Sequence, residues 1–307
     1  MLNISAVLPC YNGERWLGEA LDSIRAQTRA VHEIIVVDDG SMDRSVELAR
    51  AHGARIIEHD TNRGEGAARN SGIHAATGEA IAWLDADDTW RPNHVEVVAG
   101  LLEQNPDAVA AFGSVQRFGL DDRLIHGYVP LSGVPEEALI EAFRDWLHTT
   151  IGAIVRRSVL LDIGGFDEHE QYAVDFDLWL RLAHRNRFVA TDQVTADWRW
   201  HEVQQSATPQ RQYAAVYRYR RRFLDHLAAE GDHELSAVLE SEFRSIWLDE
   251  LNAALDARDR ATFRAVASRA PLVGGLRRSR RVAIAVCVHL PVEVVAGART
   301  LRRRFTR

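Results

Sequence analysis

Apolar and polar positions follow two different periods along the first 105 residues. Four short runs are nearly continuous in apolar residues: ISAVLPC (4–10), EIIVVDD (33–39), ARIIEH (54–59) and AIAWLD (80–85). Between them lie longer segments in which apolar residues recur every three or four positions. Strand-length apolar runs that alternate with amphipathic helices are typical of βαβ units and a parallel sheet. The pattern therefore predicts an α/β fold.

The first helical segment follows the first apolar run directly. A helix is predicted here from Glu14 to Gln27, because the apolar positions of the segment have helical spacing. Five apolar residues fall on one face of this predicted helix: Trp16, Leu17, Ala20, Leu21 and Ile24. This face is expected to pack against the sheet.

The next three helices carry residues that favour helix ends. Ser41 or Asp43 can cap the second helix, and Gly53 can end it. Gly78 is placed as the C-terminal stop of the third helix. Pro92 is expected at the first position of the fourth, where a missing N–H costs nothing.

Carboxylates follow two of the predicted strands at the point where each strand ends. Asp38 and Asp39 close the second run, and Asp85, Asp87 and Asp88 close the fourth. Ligands of open α/β sheets gather beyond the carboxyl ends of the strands, so these groups are expected at one edge. Asp85 and Asp87 would point to one side of an extended segment, where two oxygen ligands suit Mg²⁺ or Mn²⁺. The alternative is a solvated acidic turn that caps the next helix. Asp88 is expected to cap or start the following segment.

Composition limits the class of protein. The chain has 307 residues, of which 46% are hydrophobic, so it can bury a sizeable core. Cys10 and Cys287 offer no disulfide framework or CxxC metal site, which fits a reducing cytoplasm. The sequence shows no uninterrupted apolar run of about 18 residues, so no membrane-spanning helix is expected. No secretory signal is expected either. Neither GxxxxGK[ST] nor a GxGxxG after the first strand is present, which excludes P-loop and ordinary dinucleotide binding.

Three blocks of sequence stand in an order that is familiar from one enzyme family. They are SAVLPCYNGERWLGEALDSIRAQT, EIIVVDDGSMDRS and NRGEGAARNSGIHAATGEAIAWLDADD. Together they resemble the successive motifs of family 2 glycosyltransferases. The resemblance implies the GT-A fold, a Rossmann-like nucleotide-binding mixed sheet flanked by helices. It also implies a nucleotide-sugar donor, with a UDP-sugar favoured, and a divalent cation, Mn²⁺ or Mg²⁺.

The resemblance assigns roles in donor binding to particular residues. The backbone near Pro9 and Tyr11, together with Asp39, would hold the nucleobase. Arg69 would lie near the base or diphosphate, Asp85 would touch the ribose or sugar, and Asp87 would bind the metal ion. Each residue also has a structural alternative. Tyr11 could belong to the turn after the first strand, Asp39 could cap a helix, and Arg69 could pair with Glu65 one helical turn away.

A fourth block, GGFDEHEQYAVDFDLWLRLAHR, resembles the acceptor-side motif of the same family. Many members carry Glu-Asp where this chain has Val174 and Asp175, so the first acid is absent. An inverting sugar transfer needs a base for the acceptor hydroxyl, and Asp175 is the residue expected to serve. Asp177 is expected instead to be a helix N-terminal carboxylate favoured by the helix dipole, a role that Asp175 could also have.

The segment DWRWHEVQQSAT supplies a further candidate. His201 matches a position where family members often place a histidine near the metal or diphosphate, although a lone histidine can also be structural. Trp198 and Trp200 are expected in the core or the cleft wall. Beyond them, residues 209–270 have helical spacing, beginning at Thr208 and Pro209 as cap and first turn.

The sequence thus predicts three parts. Residues 1–205 form the GT-A domain, with a donor half at about 1–115 and an acceptor half at about 116–205. Residues 206–274 form a helical extension, and residues 275–307 form a basic, partly apolar tail. The expected activity is inverting, metal-dependent transfer of a sugar to a hydroxyl acceptor in cell-surface glycan or polysaccharide synthesis.

Two other functions fit parts of the pattern. A sugar-1-phosphate nucleotidyltransferase also binds nucleotides on an α/β sheet with metal carboxylates. It would carry a glycine-rich phosphate loop after the first strand, for which PCYNGERW is a poor match. A non-catalytic nucleotide-sugar-binding protein is suggested by Val174. Product analysis with a panel of donors separates the three.

Charge divides the chain unevenly. The net charge is −7, yet the tail at 275–307 holds nine arginines and one glutamate, and 28 basic and 43 acidic residues precede it. A basic, partly apolar tail suits an anionic membrane surface, where each arginine adds about 1 kcal/mol. We therefore expect a cytoplasmic protein that attaches peripherally at the inner face of the cell membrane, with a glycan or lipid-linked acceptor and no nucleic acid. A solvated tail, or one docked on the acidic body, is the alternative.

The tail yields a direct test. The full chain should sediment with anionic liposomes at low salt and be released at high salt, because salt screens the attraction between arginines and lipid head groups. A chain that ends at about Pro271 should remain in the supernatant. Equal sedimentation of the two chains would favour the solvated or docked tail.

Overall fold

The computed structural model describes residues 1–118, 124–125, 135–144, 150–202, 204 and 209–274. The chain divides into two compact units, Met1–Ala207 and Thr208–Arg307. Most of the loop at 116–148 and the whole tail at 275–307 lie outside the described residues, and so does Thr208. The predicted donor and acceptor halves and the membrane-binding tail therefore stay predictions.

The described residues of the first unit form one nine-stranded mixed sheet. Its strands are β1 (Ile4–Cys10), β2 (Glu33–Asp38), β3 (Arg55–Glu58), β4 (Ala80–Trp83), β5 (Thr89–Trp90), β6 (Ala108–Phe118), β7 (Leu124–Ile125), β8 (Ala153–Arg156) and β9 (Arg187–Arg199). They lie in the order β3-β2-β1-β4-β8-β6-β9-β5, and β7 pairs with β6. Strands β1 to β4 are parallel to their neighbours in this set, whereas β8 is antiparallel to both β4 and β6.

Helices flank this sheet. In the first unit they are α1 (Leu17–Arg25), α2 (Ser45–Ala51), α3 (Glu65–Ala75), α4 (His94–Gln104), α5 (Pro135–Arg144), α6 (Arg157–Asp162) and α7 (Val174–Ala183), with a 3₁₀ turn at Thr150–Gly152. The second unit contains α8 (Pro209–Glu230), α9 (His233–Asp256), α10 (Arg260–Ser268) and α11 (Ala270–Val273). The predicted α/β sheet and the helical extension are both present.

The central strand β1 is buried because helices cover both of its faces. Ile4, Ala6, Leu8 and Cys10 lie in the core cluster to which α1 and α4 contribute. On the opposite face, Val7 lies against α3. This two-sided burial explains the nearly continuous apolar run, since every position of the strand faces protein.

Two predicted helix starts differ from the structure. Helix α1 begins at Leu17 rather than Glu14, because the preceding residues bind the start of α2. The amides of Gly13 and Glu14 donate to Ser45 and Asp43, and Glu14 accepts the amide of Arg44. Pro92 does not occupy the first position of α4, which begins at His94 after Asn93. The carbonyl of Pro92 instead accepts a hydrogen bond from the amide of Thr28.

Gly78 has a different role from the one predicted. Helix α3 ends at Ala75, and its cap residue Ala76 is already extended. A Cβ at Gly78 would lie 2.6 Å from Ser5 Oγ and 2.7 Å from the carbonyl oxygen of Asn3. The glycine is therefore required by close approach to β1. Gly53, with a positive φ of 62°, does end α2 as predicted.

The second unit has its own apolar core. Leu239, Phe243 and Trp247 of α9 are fully buried, and the indole N–H of Trp247 donates to the carbonyl of Val266 in α10 at 2.8 Å. Asp232 caps α9 and Asp259 caps α10 through side-chain hydrogen bonds. Within the part of the chain that the structure describes, no helix is both long and apolar enough to cross a membrane.

The packing of α3 on β1 can be tested at a glycine. A Cβ at Gly72 would overlap Val7 Cγ1, so Gly72→Ala should lower the free energy of unfolding by about 1–3 kcal/mol through overpacking. The matched control is Gly100→Ala in α4, where a Cβ meets nothing within 4 Å. That change should raise stability by roughly 0.5–1 kcal/mol, since alanine favours a helix over glycine. Denaturant unfolding of both variants measures the difference; equal effects would contradict this packing.

Candidate active site

The candidate site lies where β1, β2 and β4 end at one edge of the sheet. The parallel register of these strands brings Cys10 beside Asp38 and Val7 beside Trp83. The segments that follow the strands therefore meet, and they carry the acidic residues that the sequence singled out. Helices α3 and α7 and the end of β9 complete the site.

Asp85 and Asp87 do not lie on one side of an extended segment, as predicted. Strand β4 ends at Trp83, and residues 85–88 form a turn in which the amide of Asp88 donates to the carbonyl of Asp85 at 3.1 Å. The turn sends the two side chains to different partners. Asp85 contacts Arg69, and Asp87 contacts His201.

Arg69 is a buried cation at the centre of the acidic groups, with 3% of its side-chain surface exposed. Its Nη2 atom lies 2.8 Å from Asp85 Oδ1 and 2.5 Å from Glu65 Oε1. The predicted site contact and its structural alternative, pairing with Glu65, therefore occur together. Although burial acts to lower the pKa of Arg69, the carboxylates of Glu65, Asp85 and Asp175 raise it. The guanidinium thus stays charged and neutralises part of the acidic cluster.

Glu65 is an acid of this site. About a third of its side-chain surface is exposed, but its carboxylate lies among other acids. Burial raises the pKa of Glu65 to about 7, Arg69 opposes the shift, and Asp85, Asp175 and Asp87 add to it. At neutral pH a proton therefore resides on Glu65 for part of the time.

Asp175 lies in the first turn of α7, after Ala173 in the left-handed conformation with φ 54°. Its Oδ1 accepts the amide of Phe176 at 2.9 Å, and it makes no hydrogen bond to Arg69 in the described residues. Burial raises the pKa of Asp175 to about 6, while Arg69 acts to lower it. Asp177 lies in the same turn and pairs with Arg181 at 2.8 Å, which fits its predicted helix N-terminal position.

Asp87 and His201 come together from positions 114 residues apart. His201 Nε2 lies 2.9 Å from Asp87 Oδ2. Burial and Asp85 raise the pKa of Asp87, while the hydrogen bond to His201 lowers it. The carboxylate and the imidazole are thus two adjacent groups that could ligate a cation.

Arg199, the last residue of β9, binds the turn that carries Asp87. Its Nε atom donates to the carbonyl of Asp87 at 2.9 Å, and its Nη2 atom contacts Glu19 at 2.5 Å. The guanidinium also lies over the ring of Trp16, 4.2 Å from its centroid. Trp16 is therefore a wall of the site rather than part of the buried face of α1.

Asp88 does not cap or start the following segment, contrary to the prediction. Its side chain is buried, and Oδ1 accepts the amide of Arg199 at 2.7 Å. Burial, followed by the charges of Asp87 and Asp85, raises the pKa of Asp88 well above its ordinary value. Its role is to join the acidic turn to β9.

Asp39 is the centre of a second hydrogen-bonded group. It accepts the amides of Arg63 and Gly64 at 2.9 and 2.8 Å, and His59 donates to it through Nδ1 at 2.7 Å. Ser71 lies 2.9 Å from the other ring nitrogen of His59. These contacts fix a buried carboxylate at the end of β2 without capping a helix.

Pro9 and Tyr11 mark the end of β1 beside this group. Pro9 pairs with Val37 inside the sheet, and half of the Tyr11 surface is exposed. The next residue, Asn12, has φ 51° and accepts the amide of Met42 at 2.9 Å. An exposed aromatic ring therefore stands at the edge where Asp39 is buried.

Sequence reasoning missed three residues of the site. Glu65 appeared only as a surface partner of Arg69, and Arg199 and His59 were not considered. The signals for Glu65 and Arg199 were present, since Glu65 precedes Arg69 by one helical turn and Arg199 is two residues from His201. Nothing local in the sequence marks His59, because its partners lie 12 and 20 residues away.

The described residues hold no group of three or more His, Cys, Asp or Glu side chains arranged for a metal ion. Asp87 nevertheless offers a carboxylate, the ligand type that Mg²⁺ and Mn²⁺ prefer, and the His201 imidazole lies beside it. These ions commonly bind through one or two protein ligands and take the others from water and substrate phosphates. The donor set therefore fits a cation that arrives with a diphosphate.

Solved structures share this architecture. TarS of S. aureus in complex with UDP-GlcNAc superposes with a TM-score of 0.65 at 18% identity, covering 89% of this chain and 82% of that one. A mannosyltransferase of Pyrobaculum calidifontis in complex with GDP-Man and Mn²⁺ gives 0.56 at 18% identity, covering 96% and 83%. At this identity the likeness shows the fold alone, which is GT-A.

Sequence comparison places the chain in a family. An uncharacterized glycosyltransferase of Rickettsia typhi is 32% identical over 214 residues, which are 67% of this chain and 66% of that protein. One of Haemophilus influenzae is 28% identical over 190 residues, 60% of this chain and 63% of its own length. The chain thus spans slightly less than two thirds of these relatives. The sequence profile of glycosyl transferase family 2 matches residues 5–164, and the chain belongs to that family of enzymes.

Proposed function

We propose that this chain is an inverting, metal-dependent glycosyltransferase that moves a sugar from a nucleotide-sugar donor to a hydroxyl of a glycan or lipid-linked acceptor. One observation carries the proposal. Arg69 gathers Asp85 and Asp175 around one buried guanidinium, and Asp87 beside Asp85 contacts His201. A base with a raised pKa and a candidate cation site are thereby assembled at one edge of the sheet.

The donor is proposed to bind with its base near Asp39 and Tyr11. Asp39 is held as an acceptor by backbone amides and His59, and Tyr11 offers an exposed ring. A carboxylate accepts hydrogen bonds only, which suits a base that presents an N–H, such as uracil. Guanine also presents an N–H, so this contact is compatible with a UDP-sugar, the donor that we propose, without selecting it. TarS was solved with UDP-GlcNAc, which supports this assignment.

Asp87 and His201 would hold the divalent cation, with Asp85 and Arg69 on the side of the sugar and diphosphate. When bound, the cation neutralises charge that develops on the departing nucleoside diphosphate. The Pyrobaculum mannosyltransferase, solved with GDP-Man and Mn²⁺, supports a cation of this kind. Arg199 would keep the Asp87 loop in place through the backbone carbonyl.

Asp175 is proposed as the base. It accepts the proton of the acceptor hydroxyl while the oxygen attacks the anomeric carbon, and the bond from that carbon to the diphosphate oxygen breaks on the opposite face. The nucleoside diphosphate leaves with the bonding electron pair, and the proton remains on Asp175. A base with a pKa of about 6 is ionised at neutral pH yet basic enough to assist the attack.

The alternatives have less support. A nucleotidyltransferase would need a phosphate loop after β1, where the chain instead forms a turn from Asn12 to Glu14 that is tied to the α2 loop. Strongly raised pKa values such as that of Asp175 cluster at functional sites, which favours a catalytic protein over a non-catalytic one. The charge of the tail at 275–307 supports a lipid-linked acceptor in cell-surface glycan or polysaccharide synthesis.

The metal assignment is tested at Asp87. Asp87→Ala should abolish the Mn²⁺-dependent part of nucleoside diphosphate binding, measured by calorimetry with and without the metal. The fold should persist in a thermal scan, because the change removes like-charge repulsion from the turn. Asp107→Ala, on an exposed pair with Arg187, is the control and should bind as the wild type does. Full transfer by the Asp87 variant, or by the wild type in chelator, would remove the metal from the mechanism.

The base is tested at Asp175. Asp175→Asn should leave donor affinity within a few fold of wild type and lower turnover by roughly 100- to 10,000-fold. In the wild type, kcat/KM should fall as the pH drops through about 6, because protonation removes the base whose pKa burial has raised. The measurement is a pH–rate profile with a panel of nucleotide sugars. An equal loss of donor binding and turnover would make Asp175 structural instead.

A further inference from the structure

Arg69 contacts two of the three carboxylates that influence it, and both contacts are made by one nitrogen. Its Nη2 atom contacts Glu65 and Asp85, and Asp175 lies near enough to share its charge. Yet Asp175 accepts a hydrogen bond from the Phe176 amide, and within the described residues it accepts none from Arg69. The guanidinium is thus held by two acids and withheld from the third.

We propose that Glu65 is a positioning residue for the base: together with Asp85 it holds Arg69 so that the Asp175 carboxylate remains free to accept a proton. This inference rests on the proposed function in that Asp175 is taken as the base. Glu65 does not touch the reacting atoms in this account. It acts through Arg69, one helical turn further along α3.

The geometry explains why an acid is needed at this position. Without Glu65, the buried guanidinium would have one partner fewer. Three acids influence Arg69, and Asp175 is the one that it does not already contact. A charge-assisted hydrogen bond from arginine stabilises an ionised carboxylate and makes it a weaker base. Glu65 opposes that bond by binding Nη2 and fixing the position of the guanidinium.

The charges that face Asp175 come from two other elements. Arg69 of α3 lowers its pKa, and Asp85 of the turn after β4 raises it; its own α7 contributes the Phe176 amide, which lowers it. Burial raises the pKa of Glu65 to about 7, so Glu65 is mostly protonated where Asp175 titrates, and its loss acts on Asp175 through Arg69. A guanidinium released from Glu65 is an attracting charge that lowers the basicity of Asp175.

The test combines titration with kinetics on the full chain. In protein labelled with ¹³C at aspartate carboxyls, the Asp175 resonance is identified as the one missing from Asp175→Asn. In Glu65→Ala its titration midpoint should move by about one pH unit toward acid. Glu65→Gln, which keeps an acceptor for Arg69 but no charge, should move it less. The acid limb of kcat/KM should move in the same direction, and kcat above pH 7 should fall roughly 3- to 10-fold.

The control is a matched pair in the second unit. Glu240→Gln removes an acid that pairs with Arg244 one helical turn away and has a similar exposure, 33%. It should leave the Asp175 midpoint and turnover unchanged. If Glu65→Ala does not fold in a thermal scan, the nearly isosteric Glu65→Gln decides the question.

Each outcome bears on a separate statement. An Asp175 midpoint that stays in place or moves toward alkaline pH in folded Glu65 variants overturns the positioning role. A shifted midpoint in the Glu65 variants, together with a wild-type chain that transfers no sugar from any donor, supports the contact network but overturns the proposed reaction. A shifted midpoint with a matching shift of the rate profile supports both.

Discussion

The buried guanidinium of Arg69 is the charge on which the arrangement of acids in this protein depends. Without a cation, Glu65, Asp85 and Asp175 would repel one another at the edge of the sheet, and proton uptake would relieve the repulsion. Arg69 can fill this place because α3 packs closely on β1 and β2, where Gly72 lets the helix approach Val7. The packing of a helix thus determines the electrostatics of the site.

The second constraint is the closure of the first unit by β9. This strand runs parallel to β6 and places Arg199 and His201 beside the acidic turn after β4. The turn is fixed from both sides: Asp88 binds the backbone of β9, and Arg199 binds the backbone of Asp87. The loop that carries the candidate cation site is thereby held by a strand of the sheet, which keeps Asp87 and His201 in contact.

Two carboxylates of the candidate site, Asp39 and Asp175, have different surroundings. Asp39 accepts the amides of Arg63 and Gly64 and contacts His59. Asp175 accepts the amide of Phe176, and burial raises its pKa to about 6. In the proposed reaction, the first carboxylate would recognise the donor and the second would accept the proton.

The sequence by itself determined the α/β class, the four parallel strands and the candidate acids, because strand periodicity, helix spacing and short motifs are local properties. It also named Asp85, Asp87, Asp175 and His201. Only the tertiary structure decided how they meet. The turn at residues 85–88, the roles of Gly78 and Asp88, and the sharing of Arg69 by Glu65 and Asp85 arise from packing between distant segments. Such contacts depend on which strands pair and how closely helices approach, and no local pattern records either.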